Sequence, residues 1–231
     1  MCGRFNIISD PLTQLIMEIT GQIFPVETVY NVAPTETVNV LRNTEGGWSL
    51  TPMRWWLVPW WSDGPSNKYS MFNAKSETLT RSRAFSEAYE KRRCVIPASS
   101  YYEWQEDEQG QRVPYLIAPI GQNGFAFAGL WERWRDHEQL VESFTIVTMA
   151  APTGMDSLHH RIPVHLSLSE ISVWIDVNTS KADLGQLMAP QVRYPLAITP
   201  VSTFVNNARN KDPRCIEPLG ETRIVSSDMK I

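Results

Sequence analysis

Cysteine is scarce. The 231-residue chain carries three, Cys2, Cys94 and Cys215. They are too few and too scattered for a disulfide framework or a zinc site. A reduced intracellular setting with no metal and no cofactor is therefore expected. Long apolar runs are also missing. The first such stretch, residues 12–19, is interrupted by Thr13, Gln14 and Glu18, and none reaches membrane-spanning length. The segment after Met1 is polar, so no secretory signal is expected, and a cytoplasmic location without a membrane partner follows. Excess positive charge is lacking too. The formal net charge of −4 argues against indiscriminate nucleic-acid binding. No repeat, low-complexity stretch or linker divides the chain, so a single domain is expected.

Several features stand out against that background. Nine Trp are present, and residues 67–93 hold seven Lys/Arg against three Asp/Glu. Such a local basic surface can hold phosphates on an acidic protein, although Lys91–Arg93 read better as a solvated helix face. Asp10-Pro11 marks a helix start, and Leu12, Leu15, Ile16 and Ile19 keep helical spacing up to Gly21. Residues 37–41 and 48–58 read as a hairpin around Glu45-Gly46-Gly47, and 82–92 as a helix. Further strands are expected near 94–97, 101–104, 114–120, 125–131, 144–150 and 194–201. Helices are expected at 153–159, 169–175 and 182–188. This order predicts an α+β fold with a curved, largely antiparallel, barrel-like sheet flanked by helices. Residues after about Asn206 are polar, and 206–231 are expected to form a loosely ordered tail.

The chemistry begins at Met1-Cys2-Gly3-Arg4-Phe5. Removal of Met1 leaves Cys2 with an α-amine, reference pKa roughly 7.7–8.0, beside a thiol near 8.5. An aldehyde can condense with that amine to an imine, and the thiol can close the imine to a thiazolidine. The bland alternative is a small residue near a floppy end. Glu103 lies among Tyr101, Tyr102 and Trp104. Apolar rings disfavour the carboxylate and raise its pKa, as suits a general acid/base. Strand alternation leaves open whether Glu103 faces rings or water. In His159-His160-Arg161-Ile162-Pro163, the two rings are not expected to share one direction, and one can exchange protons at a reacting centre. Asn73 supplies donor and acceptor, and Lys75 a point charge for phosphate. Trp60 and Trp61 can stack on unpaired bases, with one of the two expected to be exposed. Thr148, at the end of a buried-looking strand, either packs or reaches a phosphate.

Together these motifs resemble the SOS response-associated peptidase (SRAP) family, the abasic-site processing proteins. The matching segments are Met1-Cys2-Gly3-Arg4-Phe5, Tyr30-Asn31-Val32-Ala33-Pro34-Thr35, Trp56-Leu57-Val58-Pro59-Trp60, Asn73-Ala74-Lys75-Ser76-Glu77-Thr78, Ser82-Arg83-Ala84-Phe85, Tyr102-Glu103-Trp104, Thr145-Ile146-Val147-Thr148 and His159-His160-Arg161-Ile162-Pro163. The resemblance implies one compact domain over residues 1–231. It implies a monomer, nucleoid-associated when bound, whose partner is single-stranded DNA containing abasic sites. It further implies self-removal of Met1, a thiazolidine crosslink through Cys2, and lyase cleavage of the abasic strand. By position, Asn73 orients the sugar or Cys2, Glu103 is the acid/base, and His159 assists ring opening and reversal. Arg4, Lys75, Arg83 and Arg161 hold phosphates. Lys75, Trp56 and His160 stand where the family commonly has Arg, Gly and Asp.

Two rivals compete with this expectation. An N-terminal-nucleophile amidohydrolase also begins Met-Cys-Gly, but its remaining motifs cannot be assembled here. A non-catalytic single-strand binder would use the Trp and Lys/Arg residues without any covalent step.

Overall fold

A computed structural model describes residues 2–226. In chain order the elements are β1 (Phe5–Ile7), α1 (Ser9–Thr20), β2 (Val29–Val32), β3 (Thr37–Thr44), β4 (Gly47–Trp55), β5 (Asn73–Lys75), α2 (Ser86–Lys91), β6 (Arg93–Ala98), β7 (Ser100–Glu106), β8 (Arg112–Pro119), β9 (Phe125–Asp136), β10 (Gln139–Ala150), β11 (Arg161–Pro163), β12 (His165–Leu166), α3 (Leu168–Ile175), α4 (Lys181–Leu187), β13 (Leu196–Pro200) and β14 (Arg223–Val225). Strands β4, β3, β6, β9 and β10 close on one another as a five-stranded barrel. The closing pair β10–β4 is parallel, and the other four pairings are antiparallel. A second sheet runs β14-β13-β8-β7-β1-β2. The fold is α+β and a single domain, with few helices at its margins.

The barrel closes because its wall residues alternate between an apolar interior and a wetter outside. Gly129 on β9 marks the tightest crossing. A Cβ there would lie 2.1 Å from Ile96 Cδ1 and 3.2 Å from the Thr145 carbonyl. Only a residue without a side chain fits where these strands meet. Inside, Trp55 of β4 stacks on Phe144 of β10 at an interplanar angle of 7°, the register set by the parallel pair Phe144↔Trp55. The second sheet docks through Phe5, whose ring meets Trp55 edge-on at 4.9 Å and Phe127 at 6.5 Å. One aromatic on the shortest N-terminal strand thus ties the start of the chain to the barrel core.

Several expected boundaries shift for local reasons. Asp10 sits outside helical geometry (φ −115°, ψ 117°), so regular α1 geometry begins at Pro11, and Gly21 ends the helix at φ 70°. The expected helix at 82–92 shortens to Ser86–Lys91, preceded by a 3₁₀ turn over Ser76–Arg81. The expected helix at 153–159 is a series of turns, since Gly154 adopts φ +88° against Val225. The expected loose tail is the largest correction. Asn31 donates through Nδ2 to the carbonyls of Val205, Asn207 and Asn210. Lys211 pairs with Glu36, Tyr102 donates to the Cys215 carbonyl, and β14 pairs with β13. Backbone carbonyls captured by buried side chains hold this segment down despite its polar composition. Residues 227–231 of that expected tail lie outside the described residues.

Candidate functional site

The site forms where the two sheets meet. Strand β1 runs antiparallel to β7, with Phe5 opposite Tyr101, and the Tyr102 N–H donates to the Arg4 carbonyl. The chain before Phe5 therefore travels beside Glu103. From the barrel side, β10 carries β5 on one edge and β11 on the other: Ile146 pairs with Asn73, and Ala150 with Arg161. Asn73 and the approach to His159 are thus brought in by the same half of one strand.

Asn73 and Cys2 touch. The Asn73 Nδ2 donates to the Cys2 carbonyl at 2.7 Å, and both residues are buried. The Cys2 Sγ lies 3.8 Å from the Arg4 carbonyl, and burial pushes its thiol well above the ordinary range. A buried thiol stays protonated at rest, so it needs a base before it can act. Met1 lies outside the described residues.

Glu103 is also buried, with its pKa raised from the ordinary carboxylate value to about 7 by loss of solvent. The sequence left its direction open. Tyr101 sits in the main core and Tyr102 in a smaller cluster with Val201, Val205 and Cys215, so both faces of β7 are covered at this point. His159 is half-buried, and desolvation lowers its pKa to about 4. The backbone N–H and carbonyl of Arg161 both lie against its Nδ1, at 3.0 and 2.9 Å, which fixes the ring orientation. His160 stacks on His159 with centroids 4.2 Å apart. The two rings share a direction, contrary to the sequence expectation, because the turn ahead of β11 lays them side by side.

Glu103 and His159 face a cavity of about 370 Å³, together with Gly3 and Arg4. Trp104, Arg112 and Asn206 complete its rim. A hollow of about 760 Å³ lies elsewhere, between α1, the β3–β4 hairpin and α3, but contains none of the candidate catalytic groups. Chemistry, not volume, decides which cavity matters.

The residues expected to meet DNA divide by what already holds them. Arg161 is buried, forks onto the Glu77 carboxylate at 3.1 and 2.9 Å, and also donates to the Thr148 hydroxyl and carbonyl. Thr148 is fully buried. Arg4 donates to Asn31 and to the carbonyls of Val205 and Asn206, while its guanidinium lies 5.9 Å from the Trp104 ring centre. Lys75 is exposed, in register with Thr148. Trp60 and Trp61 are 55% and 38% exposed, so both reach solvent where one was expected to. Trp60 donates to Glu87, and exposed Arg83 lies over the Trp61 ring at 4.1 Å. Trp60, Trp61 and Arg83 lie away from the Glu103 cavity wall. Arg112 and Asn206 were missed: one opens β8 after a polar turn, with no motif around it, and the other opens the supposed tail. Among the described residues no group of His, Cys, Asp and Glu is arranged to hold a metal, and no helix is long and apolar enough to cross a membrane.

A barrel fused to a sheet that carries the chain start, with Cys2 against Asn73 and a Glu–His cavity alongside, defines the class. The chain belongs to the SRAP family, described as SOS response associated peptidase, which matches residues 1–208. It is similar to two abasic site processing proteins of Bacillus subtilis (strain 168). YoqW is 32% identical, with 94% of this chain and 99% of YoqW covered. YoaM is also 32% identical, with 94% and 98% covered. The abasic site processing protein HMCES of Pongo abelii is 30% identical over 74% of this chain, a match spanning 57% of HMCES. Two crystal structures share the fold. A Bacteroides thetaiotaomicron protein has a TM-score of 0.73 at 23% identity, covering 82% of this chain and 84% of that one. A Bordetella bronchiseptica protein has a TM-score of 0.75 at 21% identity, covering 87% and 100%.

Proposed function

We propose that this chain processes abasic sites in single-stranded DNA by covalent capture through Cys2. Its SRAP membership and its similarity to proteins named for abasic-site processing support the substrate. The observation that carries the chemistry is the 2.7 Å bond from Asn73 to the Cys2 carbonyl, beside the cavity that Glu103 and His159 line.

An abasic sugar spends most of its time as a closed hemiacetal. Opening it requires proton transfer at the ring oxygen and at O1′. Glu103, with a pKa of about 7, holds and releases a proton near neutral pH, and His159 with a pKa of about 4 is a neutral imidazole there. Once Met1 is removed, the Cys2 amine adds to the C1′ aldehyde. Loss of water gives an imine. The thiol then adds to the imine carbon, its proton passes to nitrogen, and a five-membered thiazolidine closes. The imine also acidifies the C2′ proton. A base that takes it expels the 3′ phosphate, which accounts for a lyase activity competing with crosslinking. Removal of Met1 by the protein itself would use the same Cys2 and Glu103.

The test is one denaturing gel. The mature protein is incubated with single-stranded DNA carrying one abasic site. An SDS-resistant band shift is expected, absent with Cys2→Ala and with intact DNA, and mass spectrometry should show Met1 missing. Ammonia release from glutamine without any crosslink would instead identify an amidohydrolase. DNA binding unchanged by Cys2→Ala, with no crosslink, would identify a plain single-strand binder.

A further inference from the structure

The cavity wall holds a cation with no assigned task. Arg112 opens β8 and stands opposite Glu106 in the β7–β8 register. It lines the same cavity as Glu103 and His159, and its side chain is exposed. Arg4, the other guanidinium there, is held by Asn31 and by two backbone carbonyls. Arg161 is committed to Glu77 and Thr148. Among the described residues the Arg112 side chain joins no hydrogen bond or ion pair, not even with its cross-strand partner Glu106. A guanidinium at a cavity mouth with its donors unengaged matches the oxygens of a phosphodiester.

Its neighbours give that position a floor. Cross-strand pairing puts Arg112 on the same face of the sheet as Trp104, since Trp104 pairs with Pro114 and Glu106 with Arg112. The Trp104 indole is pinned by its N–H, which donates to Asn206 Oδ1 at 2.7 Å. The Arg4 guanidinium approaches the same ring. A fixed aromatic ring with one engaged cation against it, and an unengaged cation on the same cavity rim, suits a nucleotide: sugar or base against the indole, phosphate on the unengaged guanidinium.

We propose that Arg112 holds a backbone phosphate adjacent to the lesion, so that the abasic sugar enters the cavity in one register. The inference rests on the abasic-site reading above. It adds a phosphate position that lies on the rim of the reaction cavity, unlike Lys75 and Arg83. The charge of Arg112 also reaches the two acid–base groups. Burial raises the Glu103 pKa and lowers that of His159, and Arg112 lowers both. A phosphate docked on Arg112 would offset its charge and favour the protonated form of each group as substrate arrives.

The experiment measures reversible binding of the mature protein to single-stranded DNA containing a tetrahydrofuran abasic analogue, which has no aldehyde and cannot crosslink. Salt is titrated for wild type, Arg112→Gln and Arg112→Lys. The Gln variant should bind roughly tenfold more weakly at low salt, and its log–log salt slope should fall by about 0.7, the value for one phosphate on a single strand. The Lys variant should keep the slope, because the charge remains. Neutral methylphosphonates are then placed one at a time around the analogue. One next to the lesion should weaken wild type and leave Arg112→Gln nearly unchanged, the signature of a shared contact. Equal affinity and slope for wild type and Arg112→Gln would overturn the proposal. So would a reduced slope with every methylphosphonate additive, which would make Arg112 a diffuse field and not a site. Wild-type crosslinking of authentic abasic DNA, run in parallel, keeps the two readings apart. If that band fails to form, the functional reading fails. If it forms while the Arg112 series shows no effect, only the phosphate position fails.

Discussion

Asn73 donates a hydrogen bond to the Cys2 carbonyl across the seam between the barrel and the second sheet. It is a long-range tie, from the first residue of a three-residue strand to the start of the chain. It fixes Cys2 by its backbone, so the amine and thiol of that residue inherit a defined place. The Asn73 Oδ1 is buried without a partner among the described residues, an acceptor for which a Cys2 amine or a sugar hydroxyl is a suitable donor.

Asn73→Asp is therefore expected to be worse than Asn73→Ala. The carboxylate can only accept, so it faces the Cys2 carbonyl with repulsion, while Ala merely leaves the carbonyl unsatisfied at a cost of about 1–3 kcal/mol. Crosslink formation, timed on a denaturing gel, should slow about 10- to 100-fold for Ala and further for Asp. Equal rates for Asp and wild type would mean that the bond has no positioning role.

Glu103→Gln should separate activity from stability. The folded pKa of Glu103, about 7, lies above its unfolded value. The folded state thus favours the protonated acid, and its stability declines as pH rises towards and past 7. Gln removes that penalty, so the variant should be more stable than wild type at pH 8 by roughly 1–3 kcal/mol. It should also lose the limb of the crosslinking pH–rate profile near 7 and slow by roughly 10²- to 10⁴-fold. Chemical denaturation at pH 6 and pH 8 reads the first effect, and single-turnover kinetics the second.

Arg161 should behave as a brace before it behaves as a DNA contact. Its fork to Glu77 and its donation to the Thr148 carbonyl join β11, β10 and the 3₁₀ turn at Ser76–Arg81. Arg161→Ala strips the Thr148 carbonyl of its donor and leaves Glu77 uncompensated, so a loss of about 2–3 kcal/mol is expected. For a chain of this size that is a Tm lower by roughly 4–12 °C. A variant with unchanged Tm and weakened DNA affinity would show the opposite balance.

Much of this could be read from residues alone. The barrel hairpin around Glu45-Gly46-Gly47 appears in the expected place, as β3 and β4 in antiparallel register. Cys2, Asn73, Glu103 and His159 carry chemistry that a sequence displays, and three of them reach one seam through short strands whose pairing is non-local. That pairing is what a sequence hides. Alternation on β7 could not choose a wet face for Glu103, because both faces are covered. Arg112 carries no motif, and only its place on the cavity rim, among neighbours that are already engaged, points to a role. The polar stretch after Asn206 looked loose since composition does not reveal that Asn31, at φ 54°, turns three donor bonds towards it.

His165 is expected to contribute a large share of the acid sensitivity of the fold. It is wholly buried among Phe125, Phe127 and Tyr194, its Nε2 has no partner among the described residues, and burial, aided by the charge of Arg193, lowers its pKa to about 3. The folded value lies below the unfolded one, so the unfolded chain takes up the proton first as pH falls. Its contribution is complete above about pH 6.5 and is lost progressively down to about pH 3. The loss amounts to on the order of 4 kcal/mol, to which His159 adds a smaller share through its own pKa of about 4. His165→Phe keeps the ring packing and removes the titration. Urea unfolding from pH 7 to pH 4 should show a markedly flatter decline for this variant than for wild type. Parallel curves would place the acid sensitivity in other groups, with His159→Phe as the next variant to compare.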